Sequence, residues 1–168
     1  DSMFSNDSIQ GLLVCGEVRE ALIHSALRSN IPLLGVGYGM HSLNVALGGK
    51  PAVHVDSHSQ VEKNGKLASS LHRIFIPPGC KLAAVVGSGG FVRVNSRHTE
   101  GIKEPQKATS VMASAYGLDD GIIEAIESPQ HEWVIAVQFH PERRMELPPH
   151  FDKLFESLVK RSQAGLQI

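Results

Sequence analysis

The stretch Ile31-Pro-Leu-Leu-Gly-Val-Gly-Tyr-Gly-Met-His-Ser-Leu-Asn-Val-Ala-Leu-Gly-Gly49 constrains the fold more than any other part of the sequence. Its apolar opening, Ile31 to Leu34, suits a buried parallel strand. Gly35, Gly37 and Gly39 follow at alternate positions. Met40, Leu43, Val45, Ala46 and Leu47 then supply a helical apolar face, which Gly48-Gly49 ends. Strand, tight glycine turn and helix make the frame of a nucleophile elbow, G-x-Nuc-x-G, whose central residue is held at strained positive φ. Here the central residue is Gly37, which has no side chain to attack with. A Gly-rich turn of this kind also reads as a plain flexible loop or as a phosphate site at a helix N-terminus. It is not a dinucleotide fingerprint, because the third glycine comes one residue too early for G-x-G-x-x-G.

A chain of 168 residues has room for one sizeable core, so a single domain over 1–168 is expected. A hydrophobic share of 42% and a formal net charge of −1 describe an ordinary globular protein. There is no basic run to suggest nucleic acid and no apolar segment long enough to span a membrane. Asp1-Ser-Met-Phe-Ser-Asn has neither the charged nor the apolar region of a signal peptide. Cys15 and Cys80 lie far apart without metal-ligand spacing and read as reduced thiols in a cytoplasmic protein. His54 and His58, four apart around Asp56, would suit a metal only on a helix. The segment alternates like strand or loop, so both read as solvated polar residues, with no metal and no cofactor expected.

Ile9 to Val14 predicts a short buried strand, and Glu17 to Ser29 an amphipathic helix with Val18, Ala21, Leu22, Ala26 and Leu27 on one face. With the elbow, the first part of the chain is strand, helix, strand, helix, a parallel α/β arrangement. Functional groups of such sheets gather beyond the carboxyl ends of the strands, which places Cys15 and Gly37 close together. Lys50 to Ser70 reads as loop with one or two short strands. Leu71 to Ile76 predicts a strand, Lys81 to Val86 a strand or one helical turn, and Phe91 to Ser96 a strand. Ala108 to Ala115 and Gly121 to Ser128 predict a strand pair turning at Tyr116 to Gly121. Trp133 to Phe139 is the strongest strand, and Phe151 to Val159 has the spacing of a terminal helix.

His140 and Glu142 follow that strongest strand, separated by one proline. On an extended path residues i and i+2 share a side, and the proline fixes part of the geometry. A histidine held by a carboxylate is the base-and-orienter half of a catalytic triad.

Four blocks, in order and over nearly the whole chain from Gln10 to Val159, carry a family resemblance. Gln10-Gly-Leu-Leu-Val-Cys-Gly-Glu17 is similar to D-G-L-L-L-P-G-G. Pro32 to Gly49 is similar to P-x-L-G-I-C-R-G-M-Q-x-L-N-V-x-x-G-G, and Val94-Asn-Ser-Arg-His-Thr-Glu100 to V-N-S-x-H-x-Q. Gly121 to Glu127 and Val137-Gln-Phe-His-Pro-Glu142 are similar to G-x-I-E-A-I-E and V-Q-W-H-P-E. The chain thus resembles the class I glutamine amidotransferase superfamily, in its γ-glutamyl hydrolase-like branch (peptidase C26), which includes γ-glutamyl-γ-aminobutyrate hydrolases. The resemblance implies a flavodoxin-like α/β fold, a mainly parallel sheet flanked by helices with a small antiparallel strand set. It also implies that the family's first βαβ unit is missing, since the sequence starts at what resembles the third strand.

The activity implied is hydrolysis of a γ-glutamyl amide by a Cys-His-Glu triad. His140 and Glu142 match the histidine and glutamate, and Gly37 stands where the family has its cysteine. Gly16, Glu17 and Tyr38 fall in the oxyanion region, where Glu17 replaces a glycine and would oppose a developing oxyanion if it pointed inward. His41, Asn95, Ser96, His98 and Glu100 match substrate-binding positions, with His41 in place of Gln and Glu100 in place of Gln. The resemblance therefore implies a catalytically inactive domain, with a pocket for γ-glutamyl or glutamine-like ligands. Two alternatives stand beside it: a hydrolase with Cys15 as relocated nucleophile, or a non-enzymatic regulatory subunit that binds a protein partner or itself.

Overall fold

The computed structural model describes residues 9–164; the signal-peptide reading of Asp1 to Asn6 falls outside them. The expected strand–helix–strand–helix opening is present as β1 (Leu12–Val14), α1 (Glu20–Arg28), β2 (Leu33–Val36) and α2 (Tyr38–Ala46). Strand β1 starts three residues later than Ile9, with the Leu12 N–H donating to Pro32 O at 2.9 Å. Helix α1 starts at Glu20 instead of Glu17, because Cys15 to Arg19 form a loop tied to α2 by Ser42 Oγ, which donates to Gly16 O at 3.2 Å.

The region from Lys50 to Ser70 holds three short strands, β3 (Val53–His54), β4 (Val61–Lys63) and β5 (Lys66–Ala68). β4 and β5 form a hairpin whose turn residues, Asn64 and Gly65, both have positive φ (53° and 73°). This is the Asn-Gly two-residue turn that matches strand twist. Then come β6 (Ser70–Ile76), α3 (Lys81–Val86), β7 (Gly90–Ser96), β8 (Glu100–Gly101), β9 (Met112–Gly117), β10 (Ile123–Glu127) and β11 (Val134–Val137). A 3₁₀ turn (Pro149–Asp152) leads into α4 (Lys153–Ala164).

Two of these elements are decided by distant side chains, one by choosing between the two readings of Lys81 to Val86 and one against expectation. Lys81 to Val86 is helical because the Glu127 carboxylate accepts its first amides, Lys81 N–H at 3.0 Å and Leu82 N–H at 3.2 Å. The strand expected from Ala108 begins only at Met112. Asn44, fully buried on α2, takes the preceding backbone for itself: its Oδ1 accepts from Ala108 N–H at 2.8 Å, and its Nδ2 donates to Gln106 O and Lys50 O at 2.9 and 3.0 Å.

The main sheet has seven strands in the order β1-β2-β11-β10-β9-β6-β7. β1, β2 and β11 are parallel; the remaining pairings are antiparallel, so the antiparallel set is larger than the small one expected. Residues on β2 and β11 are buried on both faces. Leu34, Val36, Ile135 and Val137 pack with α3 and α4, while Leu33, Val134 and Ala136 pack with α1 and α2. Such two-sided burial is why these strands read as unbroken apolar runs.

The sheet also curls. β7 lies four strand spacings from β11, about 19 Å in a flat sheet. Yet Asn95 on β7 reaches the backbone of His140, just past β11, at 2.8 and 3.1 Å. Among the described residues no helix is long and apolar enough to cross a membrane.

One contact sets the entry of α2. A Cβ on Gly39 would lie 1.9 Å from the Val14 carbonyl oxygen, so α2 meets the end of β1 without room for a methyl group. Gly39→Ala is expected to cost about 2 kcal/mol in urea unfolding, since backbone must move to admit it. At Gly16 a Cβ meets nothing within 4 Å, and Gly16→Ala should change stability by less than about 0.5 kcal/mol. Equal losses in the two variants would contradict this packing.

Candidate functional site

Three parallel strands end at the same edge, and their loops build the site. The last rung of the β2–β11 ladder is a hydrogen bond from Gly37 N–H to Val137 O at 2.9 Å. It carries the elbow and the His140 turn side by side. Gly37 has φ 56° and ψ −120°, then α2 begins at once, with Met40 N–H donating to Gly37 O at 3.0 Å. The elbow geometry is therefore present with glycine at its centre. A Cβ built on Gly37 would sit 3.0 Å from His140 Cε1 and 3.4 Å from Nε2. A side chain at this position would point at the imidazole.

His140 is held from three sides. Its Nδ1 lies 2.7 Å from Glu142 Oε1, as the His-Pro-Glu turn predicts. Its backbone N–H donates to Asn95 Oδ1 at 2.8 Å, and its carbonyl accepts from Asn95 Nδ2 at 3.1 Å. The Glu146 carboxylate accepts a second bond from Asn95 Nδ2 at 2.9 Å.

A cavity of about 290 Å³ opens in front of this pair, lined by Cys15, Gly37, Tyr38, His41, His98, Glu100 and His140, with Arg97, Thr99 and Gln138 completing the wall. Tyr38, His41 and Glu100 are shared with a second cavity of about 300 Å³, whose wall includes Glu17, Glu20 and Ser42. Glu17 thus lines the neighbouring cavity and not the one holding Gly37 and His140. Gly16 contributes its carbonyl to Ser42 and lines neither.

His41 is buried, with Nε2 2.6 Å from Gln138 Oε1. Burial lowers its pKa below the ordinary histidine value, against the opposing pull of Gln138, Glu100 and Glu124. His98 has Nδ1 2.8 Å from Glu100 O, and burial brings its pKa down to about 4. Cys15 is exposed, but partial desolvation and the Glu142 carboxylate both push its thiol pKa up, away from the thiolate.

Two expected binding residues lie elsewhere. Asn95 is fully buried and holds His140 by its backbone instead of facing the cavity. Ser96 is fully buried behind it, donating from Oγ to His58 O at 2.7 Å. They are neighbours at the end of β7, so their side chains leave opposite faces of the strand, Asn95 toward His140 and Ser96 toward His58. Gln138 was missed by sequence reasoning. Its signal was that it alone interrupts the apolar run from Trp133 to Phe139. His58, read as solvated, is buried, and its ring lies 2.6 Å from Asp120 Oδ2; His54 is exposed as expected.

The arrangement joins an elbow, a His–Glu pair aimed at its centre, and a polar cavity in front. Comparison with known proteins agrees. A Schizosaccharomyces pombe protein named "Putative glutamine amidotransferase" is 36% identical over 145 residues, covering 84% of this chain and 55% of that protein. A Mycobacterium tuberculosis protein of the same name is 33% identical over 142 residues, covering 83% of this chain and 43% of its own length. The chain spans about half the length of the curated relatives it matches. Among solved structures, the glutaminase domain of Trypanosoma brucei CTPS with bound acivicin superposes with a TM-score of 0.68 at 19% identity. That match covers 90% of this chain and 71% of the other, and supports the fold. The family model described as Peptidase C26 matches residues 16–142. The chain belongs to the Peptidase C26 family and is glutamine amidotransferase-like in sequence and fold.

Proposed function

We propose that this chain is a ligand-binding glutamine amidotransferase-like domain that does not hydrolyse amides. The observation that carries the reading is at Gly37: the position that would aim a nucleophile at His140 has no side chain, while His140 and Glu142 keep their 2.7 Å contact. Without a nucleophile the pair can orient and polarise, but no acyl-enzyme can form. The cavity retains groups suited to a γ-glutamyl or glutamine-like ligand. The Gln138 carbonyl oxygen, as an acceptor, fixes the proton of neutral His41 on Nε2. This leaves Nδ1, buried and without a protein partner among the described residues, as a free acceptor on a ring that lines the cavity. With the Glu100 carboxylate on the same wall, it offers a site for the α-ammonium of such a ligand.

The relocated-nucleophile reading rests on Cys15 lining the same cavity. The raised pKa of its thiol and the adjacent Glu142 charge disfavour the thiolate it would need. The free cysteines and the lack of a membrane-crossing helix among the described residues support a cytoplasmic setting. The relatives include CTP synthases, in which the matched region covers 30% of the whole protein in the Streptococcus thermophilus example. We accordingly place the domain beside a further domain or a protein partner.

Ammonia release from L-glutamine and p-nitroaniline release from γ-glutamyl-p-nitroanilide should both stay at the uncatalysed background. Turnover that disappears in Cys15→Ser would overturn the reading in favour of the relocated nucleophile.

Gly37→Cys, made in a Cys15→Ser background, should lose about 1–3 kcal/mol of stability, because a Cβ brings strain to this backbone and crowds the imidazole. Its thiol should be alkylated by iodoacetamide faster than Cys80, and His140→Ala should abolish the difference. Alkylation indifferent to His140 would mean that the position does not address the ring.

Binding of L-glutamine, followed by NMR, should weaken as pH falls through the His41 pKa, which lies below the ordinary value of about 6.5. Protonation turns its Nδ1 from acceptor to donor. By linkage, the stability held by neutral His41 is full above about 6.5 and is lost as pH falls toward the lowered value. A His41 titration midpoint at or above 6.5 would contradict its burial.

A further inference from the structure

Behind the wall of the cavity lies a second polar cluster, built from four separate segments. His58 comes from the loop between β3 and β4, His72 from β6, His98 from just beyond β7, and Glu124 from β10. Glu124 has no solvent exposure, and neither of its carboxylate oxygens has a hydrogen-bond partner among the described residues. The basic groups within 4 Å of it there are all imidazoles: His72 Nε2 at 3.2 Å, His58 Nδ1 at 3.5 Å and His98 Nε2 at 3.8 Å, each from Oε1. Glu127, three residues on and also buried, shows what this fold does with an ordinary buried carboxylate. Its two oxygens accept backbone amides from Lys81 and Leu82. Glu124 is given no such donors.

The protons on the rings sharpen the contrast. The Glu100 carbonyl can only accept, so it fixes the proton of neutral His98 on Nδ1 and leaves Nε2 as a lone pair toward Glu124. Asp120 Oδ2, 2.6 Å from His58 Nε2, likewise holds a proton there and turns Nδ1 inward. Ser96 Oγ lies 3.2 Å from that Nδ1, but its hydrogen serves the closer His58 carbonyl at 2.7 Å. Both nitrogens of His72 are buried without a hydrogen bond. Lone pairs of His58 and His98, the His72 ring and a carboxylate oxygen thus converge on one small volume.

We propose that His58, His72 and Glu124 bind a divalent transition-metal ion of the zinc class, with His98 Nε2 placed to close the shell. The ligand atoms of the first three lie within 4.8 Å of one another. Tetrahedral zinc with bonds of about 2.0–2.1 Å sets its ligands about 3.3 Å apart, close to the His72–Glu124 and His58–Glu124 separations. Two or three imidazoles with one carboxylate favour zinc-type ions over calcium or magnesium, which prefer all-oxygen shells. The contact of Asp120 with the outer nitrogen of His58 is the carboxylate–histidine–metal relay that orients ligating histidines. A local irregularity of the strand aims the carboxylate. Between Ile123 and Ala125 the pairing of β10 slips against β9, leaving Glu124 as the extra residue of a bulge. The site is separate from His140 and Glu142, but His98 belongs to both the cluster and the cavity wall, so a bound ion would fix that wall.

The test uses the full chain, stripped with chelator and then exposed to Zn²⁺ or Co²⁺. About one equivalent of zinc should survive desalting, and Co²⁺ should give the intense visible absorption of four-coordinate cobalt. Glu124→Gln and His72→Gln should lose the metal, while His54→Ala and His24→Ala should keep it. Asp120→Asn should weaken zinc binding by about 10–100-fold with the cobalt spectrum retained at saturation. Zinc that washes off the unmodified protein, or an octahedral cobalt spectrum, would overturn the proposal without any variant having to fold. So would a stable Glu124→Gln protein that retains a full equivalent.

Discussion

The hydrogen bond from Gly37 N–H to Val137 O, 2.9 Å long, is the point on which the rest of the site depends. It is the last rung of a parallel ladder, and beyond it both chains leave the sheet in sharp turns. Parallel strands end together, so their loops must share one edge. Here that rule becomes a specific juxtaposition: an elbow with no side chain at its centre, beside an imidazole already oriented by Glu142. Because β2 and β11 are buried on both faces by four helices, the rung has no freedom to slip. A one-residue shift would carry every side chain of the strand to the opposite core.

The fold around this rung was legible because its signals are local or periodic. The unbroken apolar runs at Leu33–Val36 and Val134–Val137, the glycine spacing and the His-Pro-Glu turn can all be read within a few residues. The six-residue helix at Lys81 was ambiguous because its stability comes from Glu127, 46 residues away. The late start of β9 was hidden for the same reason, since the competing partner is the Asn44 side chain on another element. The Asn64-Gly65 hairpin is different: its turn chemistry was present in the sequence and simply outweighed by the polarity of the segment around it.

The site divides along the same line. His140, His41, His98, Glu100 and Tyr38, singled out from motifs, line one opening, and Glu142 holds the His140 ring beside it. Asn95 and Ser96 fall within a matching motif but serve the protein itself, one as a backbone clamp and the other as a support for His58. Glu124 and Glu127 sharpen the lesson. Three residues apart in Glu124-Ala-Ile-Glu127, they are indistinguishable in type and nearly so in burial. Being three apart on β10, they leave opposite faces of the strand: Glu127 starts the helix at Lys81, and Glu124 faces three histidines.

The two hydrogen bonds between Asn95 and the backbone of His140 give the molecule a mechanical property beyond their chemistry. They join the outermost antiparallel strand to the end of a central parallel one, drawing a seven-stranded ribbon into an arch with the cavity at its seam. An arch closed at one latch transmits load. Fraying of β7 would release the His140 turn, and a ligand seated against that turn would hold the far hairpin down. Since the latch grips main chain and not the imidazole, the catalytic-looking ring is kept in place by the architecture, whatever residue faces it across the elbow.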